Sequence, residues 1–72
     1  MRQIVMQGSV GRFKHNVSLI TLVQRLSTRS LARAKSEVER WLAGEAVVIF
    51  FEDEASEAEF RREAESYGVI LH

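Results

Sequence analysis

Cysteine and proline are both missing from this chain of 72 residues. Without cysteine there is no disulfide staple and no thiolate metal centre. Aromatic residues make up only 8%, so a core must rest chiefly on aliphatic side chains. No apolar run approaches the ~20 residues of a membrane span, and Met1-Arg2-Gln3-Ile4 lacks the apolar stretch of a secretory signal. A cytoplasmic protein without a membrane partner is expected. Acids are absent from the whole first half. All ten carboxylates lie at or after Glu37, while seven bases precede it: Arg2, Arg12, Lys14, Arg25, Arg29, Arg33 and Lys35. The formal net charge of zero hides this division. It suits either a clamp between the halves of one domain or a basic face open to an acidic partner.

The length fits one domain over residues 1–72. Residues 3–7 alternate as a short strand. Gly8-Ser9-Val10-Gly11 reads as a plain turn, since a phosphate-binding loop needs a helix directly behind it. A helix capped by Asn16 or Ser18 follows, with Leu19, Ile20, Val23 and Leu26 at helical spacing, widened by Val17 and Leu22. Ser27-Thr28-Arg29-Ser30 interrupts it. Ser30 caps a second helix whose inward stripe is Leu31, Ala34, Val38, Trp41 and Leu42, with Gly44 at its end. Arg33–Glu37 and Lys35–Glu39 pair on its exposed side. Residues 46–51, Ala-Val-Val-Ile-Phe-Phe, are the strongest strand signal. A third helix spans residues 52–67, with Ser56 and Glu59 as a capping box and Phe60, Ala64 and Tyr67 inward. Gly68 ends it before a last strand, Val69-Ile70-Leu71. The order β-α-α-β-α-β predicts a two-layer α+β fold: a small three-stranded antiparallel sheet covered on one face by three helices.

That order, with the stretch from Val17 to Val38, resembles the C-terminal domain of the bacterial large-subunit ribosomal stalk protein; the adaptor of the Clp protease is similar in fold. Val17, Ile20 and Val23 match apolar positions of the family's first helix. Leu31-Ala32-Arg33-Ala34-Lys35 matches its Leu-Lys-Glu-Ala-Lys run at three of five places. The resemblance implies a non-enzymatic protein-binding module related to translation, whose first two helices form the binding surface. Thr21 and Gln24 stand where the family has bases, and Thr28-Arg29-Ser30 replaces its Gly-Leu-Gly turn. Lys35 keeps a matching lysine.

The expected protein-binding residues are therefore Thr21, Gln24, Arg25, Arg29, Arg33 and Lys35, facing a protein partner with an acidic surface. The competing expectation is that several of these arginines pair with the acids of residues 52–65 inside the fold. Nucleic acid ranks last among partners, because the net charge is zero and only Phe13 interleaves the bases. His15 and His72 are too few for a zinc site, and the dense acids from Glu52 to Glu65 suit a solvated helix start rather than acid–base chemistry. No cofactor is called for. In a sheet covered on one face, either phase of residues 47–51 leaves large apolar side chains on the open side. A homodimer or other oligomer built on that face is the first alternative function, and a weak nucleic-acid binder working through the basic N-terminal half is the second.

Overall fold

The computed structural model describes residues 2–9, 13–27 and 30–72. The expected turn at Val10-Gly11, and the expected roles of Arg12, Thr28 and Arg29, lie outside the described residues. The elements run β1 (Arg2–Ser9), α1 (Asn16–Ser27), α2 (Leu31–Leu42), β2 (Val47–Phe51), α3 (Glu54–Ser66) and β3 (Val69–Leu71). The three strands form one antiparallel sheet in the order β2-β1-β3, and the helices cover one of its faces. The fold is the α+β arrangement that the apolar periodicities predict.

β1 is longer than alternation alone suggests. It continues through Gly8 and Ser9, with a bulge between Met6 and Gly8 in its pairing with β3. One extra residue at that point breaks the alternation on which the strand reading depends. On the inner side of the sheet, Ile4 and Met6 of β1 meet Val47, Ile49 and Phe51 of β2 and Val69 of β3, all buried. Phe51 and Phe60 bring their ring centroids to 5.1 Å and join the sheet to α3. Leu19, Leu22 and Val23 of α1 and Ala34, Val38 and Trp41 of α2 complete the core.

Helix ends follow local chemistry. α1 starts at Asn16, so His15 precedes it, and the His15 carbonyl accepts the Leu19 N–H at 2.9 Å. Ser30 caps α2 by accepting the Arg33 N–H at 3.2 Å. The cap of α3 is Asp53 rather than Ser56: its Oδ1 accepts the Ser56 N–H at 2.7 Å. With β2 ending at Phe51, Asp53 is the last extended residue before the first helical one, which is the position a cap must hold. Gly44 and Gly68 follow α2 and α3 with φ of 103° and 95°, a region where a side chain would crowd the backbone.

Two stripes differ from the simple periodic reading. Leu31 and Leu42 lie in the outer part of α2 and are 55% and 43% exposed, whereas Glu37 is buried. The Arg33–Glu37 pair does form, at 3.8 Å, but its carboxylate lies inside the surface. Val17 is 77% exposed.

Two expectations follow. Phe60→Ala, which empties a fully buried site, should cost about 3–5 kcal/mol, enough to unfold much of so small a domain; urea denaturation measures it. The Ser56 N–H bond holds the Asp53 carboxyl below the usual aspartate range. Its contribution is therefore complete above the unfolded pKa of about 3.9 and is lost as pH falls through the lower folded value. Asp53→Ala should lower the melting temperature at pH 7 and converge on the parent in strong acid. Asp53→Asn keeps the acceptor and should lower it less.

Candidate protein-binding surface

Four rings fix how α1 enters the helical layer. Phe13 meets Trp41 edge-on at 4.8 Å, His15 lies 6.1 Å from Phe13, and His15 stacks on Tyr67 at 5.0 Å. Trp41 lies at the end of α2 and Tyr67 caps the end of α3. The series Trp41–Phe13–His15–Tyr67 thus ties the chain before α1 to the last turns of both neighbours, by contacts of the edge-to-face and stacked kinds that aromatic quadrupoles favour.

α1 is the middle helix. It packs on α2 and on α3, and no α2–α3 contact occurs among the described residues. Its α3 side is marked by Arg25, whose Nη1 donates to Glu59 Oε2 at 2.8 Å. At about 100° per residue, Val17, Thr21 and Gln24 fall within about 60° of each other on the outer face. Ile20 and Ser27 lie beyond them, toward α2. The buried Ser27 hydroxyl donates to the Val23 carbonyl one turn back, so it is satisfied within α1. Only three residues join α1 to α2, so the two helices run in opposite directions. On α2, Leu31, Lys35 and Leu42 fall within about 40° of each other. The right-handed sense of both helices turns this stripe toward α1 and sends Arg33 and Arg40 to the far flank.

The expected site residues therefore separate. Thr21, Gln24 and Lys35 share the outer seam between α1 and α2, together with the exposed apolar side chains Val17, Leu31 and Leu42. Arg25 turns to α3. Arg33 lies about 160° from Lys35 around α2 and stands beside Glu37. Arg29 lies outside the described residues. Periodicity assigned Leu31 and Leu42 to the core, so sequence reasoning missed them as surface residues. Their spacing of 11, three helical turns, is the signal that groups them with each other and with Lys35.

Part of the charge division is taken up by ion pairs within the fold. The Arg2 Nε donates to Glu57, which raises the pKa of the guanidinium, and Arg25 bonds Glu59. Both pairs join the basic half to α3; of the arginines expected at the binding surface, Arg25 makes the intramolecular pairing, and Arg33 pairs within α2 instead. Arg40 bonds Glu45 at 3.2 Å. Among the described residues the seam is thus mostly apolar and neutral, with Lys35 as its cation.

On the α3 side of α1 lies an open groove of about 260 Å³, lined by Val17, Ser18, Thr21, Leu22, Arg25 and Tyr67. On the other side of the molecule the uncovered sheet face carries Val5, Val48, Phe50 and Ile70; Phe50 and Ile70 are 41% and 43% exposed. The register sets Val5 opposite Val48 and Gln3 opposite Phe50. No group of three or more metal-ligating side chains occurs among the described residues, and no described helix is long and apolar enough to cross a membrane.

Because both side chains of the Arg25–Glu59 pair are substantially solvated, a double-mutant cycle of Arg25→Gln and Glu59→Gln should give a coupling of only about 0.5 kcal/mol, weakened further by salt. Thermal or urea unfolding of the four proteins measures it.

The chain matches no family model and no curated protein.

Proposed function

We propose that this chain is a non-enzymatic protein-binding module of the ribosomal-stalk C-terminal type, engaging its partner through the outer seam of α1 and α2. The observation that carries the reading is the exposure of Val17, Leu31 and Leu42 around Lys35. Three large apolar side chains at the surface of two adjacent helices lose free energy to water, and a partner that covers them recovers about 25 cal/mol for each Å² buried. Lys35 gives the patch one cation, which favours a partner whose apolar surface is bordered by a carboxylate. The partner therefore differs from the broadly acidic surface that a four-base cluster would call for: Arg25 and Arg33 lie on other flanks. The resemblance along Val17–Val38 supports a role near translation, in the cytoplasm.

The open sheet face supports a second reading, self-association. Its apolar side chains are exposed, and its described strands carry no acid or base on that side. The area weighs against a tight dimer. Eight residues at about 3.3 Å and three strands at about 4.8 Å give a footprint of roughly 380 Å². Two such faces bury well under the roughly 1,200–2,000 Å² of stable interfaces.

The seam is tested by pull-down from native extract with the purified chain and with Leu31→Ser/Lys35→Glu. Both substitutions are at exposed positions, so the circular dichroism spectrum should be retained and the captured partner lost. Retention of every partner by the folded double variant overturns the seam. Sedimentation at rising concentration tests the second reading: Phe50→Lys should abolish any self-association that the parent shows.

A further inference from the structure

The groove between α1 and α3 carries chemistry that the seam lacks. Leu22 and Tyr67 give it an apolar wall, and Val17 an apolar mouth. Ser18 and Thr21 add hydroxyl groups, and Arg25 stands at its rim. α1 holds no carboxylate anywhere along its length, so nothing on that wall repels an anion. Arg25 gives Nη1 to Glu59. A guanidinium has five N–H donors in a planar fork, and those not directed at Glu59 remain for a second carboxylate, the ligand class this fork fits best.

Size narrows the ligand. An apolar cavity of about 150 Å³ holds a benzene molecule, and drug-sized ligands occupy about 300–1,000 Å³. The volume of about 260 Å³ suits one bulky side chain and the backbone attached to it. Placement narrows it further. Arg25 lies one turn beyond Leu22 on α1 and lines the same groove, so one terminal residue can set its side chain on Leu22 and its carboxylate toward Arg25.

We propose that this groove binds the C-terminal residue of a partner polypeptide, one with a bulky apolar side chain and a free carboxylate. The side chain lies against Leu22 and Tyr67, and the carboxylate meets Arg25 with the Ser18 and Thr21 hydroxyls nearby. Glu59 competes with the incoming carboxylate for Arg25. The proposal deepens the protein-binding reading, because Val17 and Thr21 border both the groove and the seam.

The test is titration of the isotope-labelled full chain with the tripeptide Gly-Gly-Phe, followed by amide proton–nitrogen correlation spectra. Saturable shifts are expected at Val17, Ser18, Thr21 and Tyr67. The C-terminal amide of the same peptide, and the Arg25→Gln variant, should each bind at least fivefold more weakly, and Gly-Gly-Gly should produce no shifts there. Glu59→Gln should bind more tightly, since it removes the competitor. Absent shifts at the groove, equal binding of acid and amide, or weaker binding by Glu59→Gln overturns the proposal. Lys35→Glu should leave peptide binding intact while removing seam capture, so failure of the groove and failure of the seam are read separately.

Discussion

The structure depends on the double pairing of β1. Among the described residues it is the only strand with two neighbours, and its inward residues Ile4 and Met6 belong to the core. β2 and β3 do not touch as a pair; each is held in place by β1, and the helices are held in turn by the layer the three strands make. One strand of eight residues thus sets the register of both others and the surface on which Leu19, Val38 and Phe60 close. Its partners come from the middle and the far end of the sequence, so the contacts that define the sheet are long-range and their loop-closure cost is met late.

The charge division acts on the same problem. Arg2 on β1 and Arg25 on α1 both reach acids of α3. Exposed pairs of this kind contribute little each; their value is in orientation, since they favour the one docking of α3 that sets opposite charges together. The acids at the start of α3 also face the positive end of its own dipole. Part of the asymmetry that stands out in the sequence is thus turned inward, and at the seam apolar exposure, rather than charge, is the distinguishing property among the described residues.

Element order and type were legible because periodicity is strong in β2, α1 and α3, and because Ser30, Gly44 and Gly68 punctuate the chain. The failures have particular causes. The bulge after Met6 hides the end of β1, since two residues face one partner there. Asp53 and Ser56 are both good caps, and only the end of β2 at Phe51 decides between them. Leu31 and Leu42 fit the helical stripe of α2 as well as Ala34 and Val38 do. Which part of a wide stripe faces inward is set by α1 and the sheet, and the Glu37 carboxylate takes an inner position that a leucine was expected to hold. For the site, sequence placed Thr21, Gln24 and Lys35 on one surface but could not separate Arg25 from them. That separation depends on where α3 lies, a tertiary fact with no local signal.

Trp41, the single tryptophan of the chain, packs edge-on against Phe13 from the segment that precedes α1. Its indole N–H meets no acceptor among the described residues, so its surroundings are set by the Phe13 ring and the apolar side chains of the core. The molecule therefore contains an intrinsic optical reporter at the junction of its entry segment and its second helix. Emission from this one side chain follows the docking of Phe13, separately from the ellipticity of the helices, and distinguishes loosening of the entry segment from loss of the fold.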